Sequence, residues 1–143
     1  MTARRTLDDL LAAARARIDR LEPAHALAAA EDGACIVDIR SAPDQLVPGS
    51  LLIPRTVLEW RLDPDSASRS PYAPGLGERV IVLCDHGESS SLAAATLVEL
   101  GFSHAGDVVG GFAAWIAAGL PVVDTRQTHE GLPGMAPPVT AGA

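Results

Sequence analysis

The sequence predicts a single α/β domain built on a mainly parallel sheet. Three observations carry that reading. Short β-branched runs alternate with helix-patterned segments along the chain. One run, Val80-Ile81-Val82-Leu83, is apolar at every position, the pattern of a central strand buried on both faces. The chain has 143 residues, 48% of them apolar, which suits one domain with a real core.

The elements follow in order. Leu7, Leu10, Leu11, Ala14, Ile18 and Leu21 recur at steps of three and four, with arginines on the other faces. Residues 1–19 therefore read as an N-terminal amphipathic helix. Thr6 with Asp9 has the form of a capping box with a shorter acid. Such a helix either docks on its own domain or offers a face to a partner. A short strand at 20–22 precedes Pro23 and a helix over 24–31, which Glu31-Asp32-Gly33 breaks. Cys35-Ile36-Val37-Asp38-Ile39 reads as a buried strand, and Cys35 within it as a core thiol. Turn chemistry runs from Pro43 to Gly49, then Leu51-Leu52-Ile53 forms a short strand stopped by Pro54. Thr56 is placed to cap a short helix through Trp60 and Leu62. Residues 63–77 are rich in Pro, Ser, Gly and Asp, a loop long enough to be functional or mobile. Beyond Leu83 come a polar loop, a helix over 91–100 and Gly101 as its C-terminal cap. A strand ending at Val108-Val109 and a helix over 112–118, stopped by Gly119, complete the pattern. Trp60 and Trp115 both read as core. Residues 126–143 are Gly/Pro-rich and polar and are expected to be a flexible tail. That leaves 20–125 as the domain proper.

Composition excludes several functions. The net charge is −7, and all 11 bases are arginine, so the basic footprint of a nucleic-acid binder is missing. Aromatics are 3%, too few for a base-stacking platform. No stretch approaches the ~18 apolar residues that cross a membrane. Asp8 and Asp9 stand where a secretory signal needs an apolar run, so a cytoplasmic protein is expected. Two cysteines cannot support a disulfide framework, and a reducing compartment fits them. His25, His104 and His129 lack ligand spacing, so no metal site is expected.

The chemistry concentrates at Cys84. This thiol leaves the end of the strongest strand, where open α/β sheets bind ligands. The following loop, Asp85-His86-Gly87-Glu88-Ser89-Ser90, can curl backbone N–H groups around an anion. It feeds a helix N-terminus whose dipole favours negative charge. These effects lower a thiol pKa and expose a thiolate nucleophile. Gly87 opens a backbone conformation closed to other residues. Ser89 and Ser90 are placed to cap the helix and to donate hydroxyl hydrogen bonds to a bound group. Free cysteines are also often inert core residues, and spacing alone does not decide between the two.

The residues resemble a family at this point. Cys84-Asp85-His86-Gly87-Glu88-Ser89-Ser90 is similar to the active-site loop of rhodanese domains, in the C-x-H-G-x-S-S variant of small single-domain bacterial sulfurtransferases. Val37-Asp38-Ile39-Arg40 resembles the family's D-x-R strand end, and Val47-Pro48-Gly49-Ser50 its I-P-G-A turn. Gly110-Gly111-Phe112-Ala113-Ala114-Trp115, with Gly119-Leu120-Pro121-Val122, is similar to its closing motif. The four pieces stand in family order over about residues 20–123. The resemblance implies a rhodanese-like sandwich with a five-stranded, mainly parallel sheet flanked by helices, the N-terminal helix being extra. It implies that Cys84 accepts a sulfane sulfur from a small-molecule donor as a persulfide and yields it to a thiol or cyanide. The amides of the loop, from Asp85 to Ser90, would stabilise the persulfide anion. No metal or organic cofactor is implied.

The loop departs from many relatives, which carry a basic residue after the cysteine and an arginine near the loop's end. Asp85 and Ser89 stand there instead, and Glu88 adds a second carboxylate. Two carboxylates at the rim oppose a dianionic donor such as thiosulfate, and a thiol persulfide is an equal candidate. His86 is either a proton donor that offsets the acids at low pH or a loop residue bonded to backbone. Asp38 and Arg40 read as a tie between strand end and loop, with Arg40 also a candidate for substrate contact. A cysteine phosphatase needs an arginine six residues after the cysteine, where this chain has Ser90. A non-catalytic module that engages a partner protein is the alternative from another class.

Overall fold

The computed structural model describes residues 3–125 and 132–140. Helix α1 (Leu7–Arg15) opens the chain with both bonds of the Thr6–Asp9 capping box formed, at 2.9 and 3.1 Å. The helix is shorter than its apolar periodicity. Leu21 is drawn instead into β1 (Asp19–Leu21), where it lies opposite Val108 in the sheet. Then follow α2 (Pro23–Glu31), β2 (Cys35–Asp38), β3 (Gln45–Leu46) and β4 (Leu51–Leu52). A 3-10 turn (Arg55–Val57) leads into α3 (Leu58–Leu62). Next are β5 (Val80–Leu83), α4 (Ser89–Glu99), β6 (Ala105–Val108), α5 (Gly111–Ala117) and β7 (Val123–Asp124).

Five strands form one parallel sheet in the order β1-β6-β5-β2-β4, with β5 at its centre. The two-residue strands β3 and β7 pair antiparallel beside it. The period of two along β5 divides the core. Val80 and Val82 pack with Leu58, Leu62 and the α4 residues Ala93, Ala94 and Leu97 on one face. Ile81 and Leu83 pack with Ala26 and Trp115 on the other. Helix α1 lies against α4, burying Leu11 and Ala14.

One expectation is corrected, and two segments are placed. Trp115 is fully buried with its ring N–H on the Pro121 carbonyl, but Trp60 is 59% exposed, because Leu58 and Leu62 take the inner face of the short helix. Of the expected tail, residues 132–140 are seated on the body. Gly49 N–H donates to the Val139 carbonyl at 2.8 Å, and Arg61 Nε donates to that of Pro133 at 2.6 Å. The remainder, 126–131 and 141–143, lies outside the described residues. In the loop 63–77, Ser70 is fully buried and its N–H donates to the Arg61 carbonyl.

Candidate active site

Strand β5 ends at Leu83, so Cys84 emerges at the carboxyl end of the central strand. The chain turns back over the sulfur at once. Gly87 N–H points to Cys84 Sγ at 3.1 Å and Ser90 N–H at 3.4 Å. Gly87 has φ +80°, and a Cβ there would stand 2.7 Å from the Gly110 nitrogen, so only glycine fits. Helix α5 holds the loop from the opposite side. Phe112 N–H donates to the Cys84 carbonyl at 2.8 Å and Ala113 N–H to that of Asp85 at 3.0 Å. With these carbonyls held outward, amide hydrogens are left facing the sulfur. Gly111, at φ +62°, allows the approach, since a Cβ there would collide with the Cys84 carbonyl.

A polar network braces the loop from behind. Asp107 on β6 is fully buried and accepts from Ser90 Oγ and Ser91 Oγ, both at 2.8 Å, and from Arg20 Nε at 2.9 Å. The Gly87 carbonyl accepts from Arg20 at 2.8 Å and from Arg15 at 3.0 Å. Arg15 Nε also donates to Ser91 Oγ at 3.1 Å. The loop contains no arginine, yet two guanidiniums reach its backbone from α1 and β1.

Burial pushes the Cys84 thiol up. The hydroxyls of Ser90 and Ser89 and the amides of Ser90 and Gly87 pull it down, and the result lies below the ordinary thiol value. Ser90 has one hydroxyl proton, and Asp107 takes it at 2.8 Å. The two amides and the Ser89 hydroxyl are therefore the donors on which a thiolate depends, aided by the N-terminus of α4.

Cys84 is 5% exposed, and its accessible side opens into a cavity of about 490 Å³. Asp85, His86, Glu88 and Ser89 line it from the loop, and Leu7, Leu11 and Leu92 from the helices. No residue of 63–77 contributes. Four of the expected loop residues thus surround the sulfur's mouth, while Gly87 and Ser90 lie beneath it. Neither serine caps the helix: α4 begins at Ser89, and the cap position is Glu88 without a side-chain bond. The Ser90 hydroxyl faces the core, because buried Asp107 needs its proton.

Arg40 is not brought to this cavity. Its guanidinium is held by Asp38 at 2.7 Å and the Gln45 carbonyl at 2.7 Å, and it stacks 3.7 Å from the centre of the Phe112 ring. The sequence tie between Asp38 and Arg40 is present, and it occupies the Nε and one Nη of the guanidinium. Sequence reasoning misses Arg15, Arg20 and Asp107, and it assigns Leu7 and Leu11 only to a docking face. Asp107 between Gly106 and Val108 is the one signal available, since a buried acid must find donors.

The comparisons agree with this geometry. A family model, the rhodanese-like domain, matches residues 22–118. The chain is 38% identical over 96 residues to the thiosulfate sulfurtransferase GlpE of Pseudomonas fluorescens, covering 67% of this chain and 83% of that one. It is 40% identical over 98 residues to the GlpE of Pseudomonas savastanoi, covering 68% and 87%. Among solved structures, a Rhodopseudomonas palustris protein of unknown function, described as a possible tyrosine phosphatase, matches at TM-score 0.76 and 32% identity. That match covers 86% of this chain and 98% of the other. The human single-domain sulfurtransferase matches at TM-score 0.58 and 25% identity over 71% of this chain and 96% of its own. The chain belongs to the rhodanese-like domain family. Its enzyme class is the rhodanese-type sulfurtransferase.

Proposed function

We propose that the protein moves a sulfane sulfur through a persulfide on Cys84, from a small-molecule donor to a thiol or cyanide, in the cytoplasm. The observation that carries this reading is the pair of amide donors on Cys84 Sγ, with the thiol held below its ordinary pKa. The thiolate attacks the outer sulfur of the donor. The donor's S–S bond breaks, and its electron pair leaves with the remainder, as sulfite if the donor is thiosulfate. The persulfide anion then sits among the amides of Gly87 and Ser90. The second step reverses the roles: the acceptor takes the outer sulfur and Cys84 departs as thiolate.

The test is intact mass after incubation with thiosulfate and, separately, with glutathione persulfide. A gain of about 32 Da that vanishes in Cys84→Ala is expected for one covalent sulfur. No gain from either donor leaves a partner-binding module as the better reading. A phosphatase reading meets Ser90 where the phosphate-holding arginine is needed, with its hydroxyl already given to Asp107. The exposed carboxylates of Asp85 and Glu88 flank the cavity. Asp85→Asn with Glu88→Gln should raise loading from thiosulfate several-fold; an unchanged rate would remove the acidic rim as a barrier to dianions.

A further inference from the structure

We propose that α1 is a wall of the active site, and that the cavity takes an acceptor thiol with an apolar body and no negative charge. This rests on the sulfur-transfer reading above. Leu7 and Leu11 from α1 and Leu92 from α4 line the same cavity as Cys84. Leu7 is 57% exposed although it stands beside that cavity, so it offers apolar surface that an occupant can cover. A volume of about 490 Å³ holds far more than a sulfur atom and its leaving group. A compact dianion makes no use of three leucines.

The opposite rim decides the charge. Asp85 and Glu88 are exposed, line the cavity and have no ion pair among the described residues. They repel an anionic acceptor and admit a neutral or cationic one. The wall is also fixed in place. The capping box sets its start, Arg15 bonds to Ser91 and Gly87, and Arg17 pairs with Glu99 at 3.4 Å. Leu7, Leu11, Arg15 and Arg17 lie outside the segment 22–118 that the family model matches, so the α1 part of the apolar wall comes from the N-terminal segment, while Leu92 lies within the match.

The step balances without another reactant. The acceptor thiolate bonds to the outer sulfur of the Cys84 persulfide. The bond between Sγ and that sulfur breaks, its electron pair returns to Sγ, and the acceptor leaves as a persulfide carrying the proton.

The experiment loads the full-length protein and follows discharge of the adduct by intact mass with three thiols: benzyl mercaptan, 2-mercaptoethanol and mercaptosuccinate. After normalisation to each thiol's thiolate fraction, benzyl mercaptan should exceed 2-mercaptoethanol about tenfold or more in kcat/KM. Mercaptosuccinate should fall below both. Leu7→Gln, at a position exposed enough to spare the fold, should bring the first ratio close to one, and Leu11→Gln should do the same. Ile116→Gln, on α5 and outside the cavity, should leave the ratio unchanged. Loading without a preference, or a preference that survives Leu7→Gln, overturns the proposal alone. Failure of Cys84 to load from any donor overturns the sulfur-transfer reading, and this one with it.

Discussion

Cys35 and Cys84 lie at opposite ends of two paired strands. Cys35 opens β2 and sits opposite Val80, the first residue of β5; Cys84 follows the last residue of β5. Burial acts on both thiols in the same direction. For Cys35 it prevails, with Glu78 adding repulsion, and pushes the pKa up to about 11. For Cys84 donors reverse it. The chain reaches Cys35 soon after the carboxyl end of α2, the electronegative end of a helix. It leaves Cys84 into the amino end of α4, whose N–H groups turn back on the sulfur. The two strands run parallel, so the end of the sheet a thiol occupies, more than its depth, separates a raised thiol pKa from a lowered one.

The largest test of that contrast is mutational. Cys84→Ala should lower sulfur transfer at least about a thousandfold, while Cys35→Ala stays within about twofold. Comparable losses from both, in a turnover assay, would dissolve the contrast. Gly87→Ala comes next, because its Cβ would press on the Gly110 nitrogen and the Val108 carbonyl. We expect a loss of about a hundredfold in the rate of persulfide formation, since the loop must shift and withdraw its amides from the sulfur. A smaller effect concerns labelling. Iodoacetamide should modify Cys84 with a midpoint below the ordinary thiol value, and should leave Cys35 unmodified well above it, read by peptide mass against pH.

The smallest is a stability effect. Below the ordinary thiol pKa of 9.0, Cys35 keeps its proton in both the folded and the unfolded chain. Between that value and about 11 only the unfolded chain loses it, so stability falls as pH rises. The loss should be about 3 kcal/mol at most. Cys35→Ala should flatten denaturant midpoints across that window, and an unchanged slope would show that Cys35 is less shielded than its burial suggests.

The parallel sheet and the reactive loop are legible because each rests on contiguous residues. Val80-Ile81-Val82-Leu83 announces a doubly buried strand, and Cys84 to Ser90 place a thiol, a glycine and a helix start in one line. The strands β3 and β7 are two residues long and carry no period to read. Arg40 resembles a ligand by position; only the arrangement of Asp38, Gln45 and Phe112 shows its guanidinium turned to a structural tie outside the cavity. Arg15 and Arg20 reach Gly87 across 72 and 67 residues of chain, a distance that no local spacing encodes. Trp60 misleads because an apolar ring in a five-residue helix is not obliged to face inward.

The Gly87 carbonyl, gripped by Arg15 and Arg20, redraws the boundary of the working unit. A chain trimmed to 22–118 would retain Cys84, its loop and four of the five parallel strands. It would lack both guanidiniums, the edge strand that carries one of them, and two of the three cavity leucines, Leu7 and Leu11. Asp107 would then be a buried carboxylate without its cation, directly behind the serines that the loop rests on. The segment that the family match leaves out therefore braces the Cys84 loop from outside the matched region.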